Sequence, residues 1–370
     1  MAHFTIDQLE KKYGMFLHPK YEVKLDEKPL EEEYLIEDMV VDIPYSCEAG
    51  SCSFKILNAF EGTGDYEIDL KDSIKQKIEL GKKIEVSLGY ETGKLVPIFK
   101  GYIDGIYIDF NQEETGVSYQ IECLDAKGIM MNNLHSEQKK NVTKYSDAIR
   151  DIFKKYPKLI EKQIIDDTKE QTILIEQQKE SDYDFISRIA GKLNYHFYLI
   201  NGEAFFQKPN ADLKEYFCFH IDEYMQEFHL YTTLSRQVAK VVVRSSNEQD
   251  PQQPFEAQAQ DYSSNVDSSK IKAGKNVLLG SRAVKTIIDL SVTSQEEAKA
   301  RAEAELMKLS CFQAKGSVVT VGIPELLPGK VVSIKGFGKA GDRAYRISRV
   351  IHRLTHQSYT TECELEGNKL

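Results

Sequence analysis

The fold class this 370-residue sequence predicts is mainly β (α+β), with two β regions flanking a small α+β insert. Three observations carry that reading. Short runs that alternate apolar and polar residues recur between Gly- and Pro-bearing turns, first up to Leu124 and again after Phe217. The aromatic residues are 20 Tyr and 17 Phe with no Trp, types that favour a pleated, half-buried surface. Between the two regions, around Tyr145 and again around Asp184, the apolar period changes to that of a helix.

Length and composition set bounds. A chain of 370 residues exceeds what one hydrophobic core usually serves, so about two to four domains are expected. Hydrophobic content of 41% with 29% charged residues describes a soluble globular protein. A formal charge of −10 argues against nucleic-acid binding as the main activity. The basic clusters Lys139-Lys140 and Lys154-Lys155 are short and read as solvated faces. No run approaches the roughly 18 apolar residues of a membrane span. Met1 to Lys12 lacks the pattern of a secretory signal, so cytoplasmic synthesis and export by another route are expected.

Taken in order, residues Met1 to Leu17 suggest a short amphipathic helix through Phe4, Ile6, Leu9, Tyr13 and Phe16. Tyr21–Leu25, Met39–Ile43 and Ser53–Leu57 read as strands, and Asp72–Leu80 as a short helix or turn ending at Gly81. Lys83–Gly89, Val96–Ile108 and Val117–Leu124 continue the β pattern. Tyr145–Tyr156 is a helix whose face is Ala148, Ile149, Ile152 and Phe153, stopped by Pro157. A strand is expected over Ile173–Glu176.

The clearest local signal follows. Ser181 and Asp184 have the spacing of a capping box, and Phe185, Ile186, Ile189, Ala190 and Leu193 recur on one helical face. Asn194 can end that helix in the left-handed region. Tyr195–Ile200, Asn201-Gly202 and Ala204–Phe206 then read as a hairpin with a type I′ turn.

After Phe217 the β pattern resumes, with Val238–Ser245 a buried strand and Ser246–Asp267 a long exposed loop. Ser294–Leu309 is a helix, and Ser317–Val321, Val331–Lys335, Tyr345–His352 and Tyr359–Glu366 are strands. Ser118-Tyr119-Gln120-Ile121-Glu122-Cys123 echoes Ser358-Tyr359-Thr360-Thr361-Glu362-Cys363, each closing one β region, which suggests two related barrels.

No catalytic constellation emerges. Gly336-Phe337-Gly338-Lys339-Ala340-Gly341 fits G-x-G-x-x-G, but Tyr345–Val350 behind it reads as a strand where a dinucleotide site needs a helix. A hairpin loop explains the glycines. His352 and His356 lie in a strand and turn, without His-Glu-x-x-His, so His352 reads as a partly buried structural histidine. The acidic pairs Asp166-Asp167 and Glu122 with Asp125 are unremarkable among 58 carboxylates. No Ser stands in Gly-x-Ser-x-Gly. Cys47, Cys52, Cys123, Cys218, Cys311 and Cys363 have no zinc-like spacing and read as free buried thiols. Asn141-Val142-Thr143 fits a glycosylation acceptor that has no meaning without a secretory route. Catalytic, cofactor-binding and metal-ligating residues are therefore none.

Several stretches in combination resemble one family. Gln177-Gln178-Lys179-Glu180-Ser181-Asp182-Tyr183-Asp184-Phe185-Ile186 resembles the Q-x-x-E-S-D-x-D-F helix of phage late control protein D and of the hub part of VgrG spike proteins. Gly322-Ile323-Pro324-Glu325-Leu326-Leu327-Pro328-Gly329-Lys330-Val331-Val332 is similar to the family's G-x-P-x-L-x-P-G-x-x-V strand entry. Tyr345–His352 with Ser358–Thr361 resembles its closing strands, and Leu95–Tyr102 the P-x-F-x-G-x-V strand of its first barrel. The likeness spans roughly Lys20 to Glu366. It lacks a C-terminal needle or repeat domain, so the spike is expected as a separate protein.

The resemblance implies a division into a 1–19 N-terminal extension, a 20–140 tube-like β-barrel domain, a 141–210 α+β insert and a 211–370 second tube-like barrel with one helix. It implies a non-enzymatic baseplate hub of a contractile tail, whether phage, tailocin or injection particle. As a homotrimer it would adapt the sixfold tail tube to the threefold spike around a central channel. Expected partners are its own copies, the tube protein, the spike protein and other baseplate proteins, without specific nucleic-acid binding, membrane insertion or cofactors. Assembly is expected in the bacterial cytoplasm, with the product a virion tail or extracellular contractile particle. An acidic lining would repel passing DNA. The alternatives are a cell-wall hydrolase or a carbohydrate-binding tail component.

Overall fold

The computed structural model describes residues 4–30, 34–64, 67–111, 116–132, 134–138, 142–171, 174–209, 213–247, 250, 252–274, 280–290 and 292–369. Twelve strands dominate it. The first six are β1 (Pro19–Leu25), β2 (Ile36–Pro44), β3 (Ser51–Ile56), β4 (Lys83–Tyr90), β5 (Val96–Asn111) and β6 (Gly116–Leu124). The second six are β7 (Glu215–His220), β8 (Met225–Thr232), β9 (Ala314–Val321), β10 (Val331–Lys335), β11 (Arg343–Leu354) and β12 (Tyr359–Gly367).

Neighbours in the first unit run β1-β4-β5-β6-β3-β2, and in the second β7-β10-β11-β12-β9-β8, the same order moved along by half the strands. The units differ at one pairing, β1 with β4 being antiparallel and β7 with β10 parallel. β2 then pairs antiparallel with the far half of β11, from Pro44↔Arg349 to Met39↔Leu354. That junction joins both units, with Lys28–Pro29 at one end, into one 13-stranded sheet whose hydrogen-bonded path stays open among the described strands. The protein is mainly β, as its alternation predicts: β12 alternates buried and half-buried residues along its whole length.

The two units match in detail. Against its hairpin partner, β5 shifts register between Ile103 and Gly105, and β11 between Ile347 and Arg349. Ile103 and Ile347 each exchange backbone bonds with a Gly-Lys pair: Gly81 N to Ile103 O at 2.8 Å, and Gly329 N to Ile347 O at 2.8 Å. Both glycines have φ of 81°, a left-handed conformation that suits glycine. These landmarks make Ile103 equivalent to Ile347, and Phe110 to Leu354. The duplication is therefore a property of strand order. The Ser118–Cys123 echo of Ser358–Cys363 lies two residues out of that register, because Leu124 faces Tyr102 while Glu366, rather than Glu364, faces the equivalent Arg346.

Helices fill the gaps between strands. They are α1 (Ile6–Tyr13), α2 (Asp72–Lys77), α3 (Ala126–Met131), α4 (Tyr145–Phe153), α5 (Asp182–Leu193), α6 (Gln295–Ser310) and the single-turn α7 (Gly338–Gly341). Ser181 caps α5 as its spacing predicts, accepting from Asp184 N at 2.9 Å while Asp184 Oδ2 takes the Ser181 hydroxyl at 2.7 Å. Asn194 ends the helix at φ 57°, and Asn201-Gly202 turn the His196–Ile200/Glu203–Gln207 hairpin with φ of 44° and 77°. Lys162–Ile165 adds a parallel strand to it.

Three apolar cores result. The largest runs through both six-strand units from Leu9 to Leu365. The second gathers α4, α5 and the hairpin but also takes Tyr102, Ala126 and Met130 from the first β region. The third packs α6 on the three-stranded sheet of Lys240–Ser245, Phe255–Ala259 and Val284–Ile288, with Val241 and Val243 fully buried.

Several expectations need correction. The strand placed at Ile173–Glu176 runs instead over Glu176–Ser181, paired with Leu134–Gln138, so it leads straight into the helix cap; Ile173 lies outside the described residues. Ser246–Asp267 is not one exposed loop: it carries Phe255–Ala259 and Asp261–Ser263, with Ser264 and Asn265 buried. The glycines at 336–341 include the α7 turn, but β11 follows at Arg343, so the long helix of a dinucleotide site is not there. His352 is fully rather than partly buried. Cys52, Cys123 and Cys363 are buried free thiols, whereas Cys47, Cys218 and Cys311 are only half-buried. Lys139-Lys140 and Asn141 lie outside the described residues.

Candidate functional site

Two features tie the units together, and both are built from residues distant in sequence. The first is a seam closed by α1. Its apolar stripe buries Leu9 and Tyr13, and Gly14 ends it in the left-handed region. Tyr13 donates its hydroxyl to Glu325 Oε1 at 2.5 Å, and Lys12 Nζ reaches the same oxygen at 2.5 Å. Tyr90 of β4 donates to Gly322 O at 2.8 Å, and Tyr216 of β7 to Glu325 O at 2.8 Å. Aromatic rings fill the rest: Phe16 lies 5.5 Å from Tyr90 and 5.0 Å from Tyr224, centroid to centroid. Burial first, then the Glu325 hydrogen bond, pushes the Tyr13 phenol far up, so it stays a donor. Residues 4–18 thus form a wedge between the repeats.

The second feature is a cleft of about 640 Å³ where the β2–β3 loop, α5, the hairpin, α6 and β11 meet. Arg346 and Arg349 both line it although they stand three apart on one strand. The bulge after Ile347 makes this possible by turning the strand between them. Arg346 is buried and donates through Nε and Nη2 to Asn265 O at 3.1 and 2.6 Å. Arg349 bonds Asp42 Oδ2 at 3.1 Å and also Glu48. Burial raises the Asp42 carboxyl and Arg349 opposes that rise. Tyr45 stacks on His196 at 4.4 Å, and His196 is pushed down to about 3 by burial and then by Arg346.

This chemistry is that of a joint. The guanidinium groups are engaged by a carbonyl and carboxylates of the chain itself, and the imidazole is neutral. Burial lifts the Cys47 and Cys311 thiols, which keeps them protonated and poorly nucleophilic. Below the cleft, Asp125 caps α3 by accepting from Lys127 N at 2.8 Å and also takes Gly50 N at 2.8 Å. Lys127 Nζ returns to Ser46 O at 3.2 Å and to Glu48 O. A buried acid and a buried base thereby clamp the loop that carries Tyr45, Cys47 and Glu48.

The residues weighed from sequence scatter. Asp166 accepts from Lys208 N at 2.9 Å and Asp167 from Arg150 Nη2 at 2.5 Å, both on the surface. Glu122 accepts from Gln120 at 3.2 Å on β6, while Asp125 is spent on its cap. His352 shares Nδ1 with Thr361 Oγ1 and the Tyr359 hydroxyl, each at 3.0 Å, and His356 sits in an exposed turn. Among the described residues no group of three His, Cys, Asp or Glu side chains is placed to hold a metal. No helix among them is long and apolar enough to cross a membrane. The pairings of Tyr13 with Glu325 and of Asp42 with Arg349 went unread in the sequence because the partners lie about 310 positions apart, and Arg346 lies 81 from Asn265.

Comparison with known proteins shows a fold shared with tail proteins of known structure. Over 94% of this chain and 96% of the other, it superposes on a tail protein of Neisseria meningitidis with a TM-score of 0.69 at 12% identity. The 43 kDa tail protein of prophage MuSo2 from Shewanella oneidensis gives 0.70 at 13% identity, covering 94% and 98%. An Escherichia coli component of the type VI secretion system, described as structurally similar to bacteriophage T4 tail proteins, gives 0.53 at 8% identity, covering 94% and 77%. The chain belongs to the family described as the Alg8 N-terminal domain, whose profile matches residues 21–356. No curated protein matches it in sequence.

Proposed function

We propose that this chain is a structural, non-enzymatic baseplate hub of a contractile tail or injection particle, of the late control protein D and VgrG type. Three copies form a ring around a channel and adapt a sixfold tube to a threefold spike. Residues 20–140 and 211–370 act as tube-like units, 141–210 as the insert that buttresses them, and 1–19 as the wedge at their seam. Partners are the tube protein, the spike protein and other baseplate proteins, and the finished particle is a virion tail or an extracellular contractile device.

The observation that carries this reading is the repeated strand order of the two six-strand units. A chain with two equivalent units supplies six of them from three copies, which is what a threefold-to-sixfold adaptor requires. The fold shared with tail proteins supports it. Light scattering on the purified chain, alone and with its spike partner, tests it. A trimer is expected, and a chain that stays monomeric at micromolar concentration in both conditions overturns the proposal.

A further inference from the structure

The intrachain junction between the units has a counterpart that the single chain leaves unfilled. At the junction, the edge of β2 covers the far half of β11. The equivalent of β11 is β5, and the equivalent of β2 is β8. No described strand pairs with β5 beyond Ile103 on that side, and β8 ends the sheet path.

The side chains agree. In the second unit His352 is 0% and Leu354 4% exposed, with Val41 and Met39 of β2 paired beside them. Their equivalents on β5, Ile108 and Phe110, are 63% and 71% exposed. Tyr107 on β5 and Tyr231 on β8 are likewise bare, at 48% and 65%. Each of the two unpaired edges thus leaves large apolar or aromatic side chains bare, which a soluble protein normally covers.

The register is fixed by the repeat. Val40 faces Ser53, which faces Glu122, which faces Gly105. His229 faces Ser317, which faces Glu364, which faces Arg349. Val40 and His229 are therefore equivalent, as are Gly105 and Arg349. Transferring the intrachain pair Val40↔Arg353 gives His229↔Asp109, an imidazole opposite a carboxylate. The pairs Val41↔His352 and Met39↔Leu354 become Leu230↔Ile108 and Phe228↔Phe110, and Asp42↔Ile351 becomes Tyr231↔Tyr107.

We infer that β8 of one copy adds antiparallel to the far half of β5 of a second copy in this register, repeating between chains the junction that β2 and β11 make within one. The contact is head-to-tail, so it propagates around a ring in which intrachain and interchain junctions alternate. This deepens the hub reading and rests on its self-association.

The test is cysteine trapping on the full chain. Asp109→Cys with His229→Cys places two exposed positions opposite each other, and mild oxidation is expected to give interchain covalent species on a non-reducing gel. Each single variant, and Asp109→Cys with Leu230→Cys on opposite faces, is expected to give none. In parallel, Ile108→Arg with Phe110→Arg is expected to lower the assembled fraction at least about tenfold, as loss of central apolar anchors does. Both positions are exposed in the single chain, so its unfolding transition is expected to stay unchanged. An assembly that forms but neither crosslinks nor responds to the arginines overturns this pairing and leaves the hub reading standing. A chain that is monomeric under every condition overturns both.

Discussion

Phe110 and Leu354 occupy the same place in two copies of one hairpin, yet the first is 71% exposed and the second 4%. Their sequence neighbourhoods do not account for the difference. It comes from β2, whose Met39 pairs with Leu354, while no described strand pairs with Phe110 on that side. Truncating the two residues should separate their roles. Leu354→Ala is expected to lower the stability of the chain by about 2–5 kcal/mol, as a core truncation does. Phe110→Ala should leave monomer stability within about 0.5 kcal/mol, the range of exposed substitutions. Urea unfolding of both variants at a concentration where the chain is monomeric provides the comparison, and equal losses would contradict the assigned environments.

Helix α5 supplies a prediction that its periodicity already suggests. Phe185 is fully buried in the second core, beside α4 and the hairpin. Phe185→Ala is expected to cost about 3–5 kcal/mol and to abolish assembly by unfolding the chain. Ser181→Ala removes the cap hydrogen bond at 2.9 Å and is expected to cost about 1 kcal/mol. Denaturation midpoints that fail to rank Phe185→Ala well above Ser181→Ala would show that the helix is held by its end rather than its face.

What was legible in the sequence was whatever local chemistry decides. Ser181, Asn194 and Asn201-Gly202 sit where cap and turn requirements put them, and most alternating runs are strands. The failures have a common cause in long-range pairing. Ser246–Asp267 looks like a loop because Gln, Asp and Ser dominate it, yet Asn265 is buried: its O accepts from Arg346, and its N donates to Asn368 Oδ1 at 2.8 Å. Buried polar residues are stable when paired, and composition cannot reveal a partner a hundred positions away. The cleft was invisible for the same reason, since Arg349 meets Asp42 and Glu48 only after β2 and β11 pair.

Acid should weaken the fold through His352. Its ring is fully buried, and burial holds its pKa at about 3 against an ordinary 6.5. The folded chain therefore binds fewer protons than the unfolded chain between about pH 3 and 6.5. The stability contributed by the neutral ring is complete above about pH 6.5 and is lost as pH falls through that window. Its share of the slope is about 1.4 kcal/mol per pH unit. His352→Gln removes the titrating group, and its stability measured by urea at pH 7, 6 and 5 should fall less steeply than the parent's. Parallel slopes would mean that His352 gains no proton on unfolding.

The Asp125–Lys127 clamp should respond asymmetrically to substitution. Asp125 holds Gly50 N and Lys127 N, and its carboxylate lies 3.7 Å from Lys127 Nζ, with Lys127 fully buried. Asp125→Ala removes the α3 cap and leaves an ammonium group buried with two carbonyls and the Phe197 ring but no carboxylate bonded to it. Breaking such a pair from one side costs about 3–5 kcal/mol. Adding Lys127→Met to that variant removes the orphaned charge at similar volume, so the double variant is expected to be more stable than Asp125→Ala by at least about 1 kcal/mol. Because the clamped loop carries Glu48, a contact of Arg349, the single variant should also loosen the cleft. Cys47, half-buried on that same loop, then becomes the reporter: its reaction with a thiol reagent under native conditions should quicken in Asp125→Ala and slow again in the double variant. If Cys47 reacts at the parental rate in Asp125→Ala, the clamp does not hold the loop.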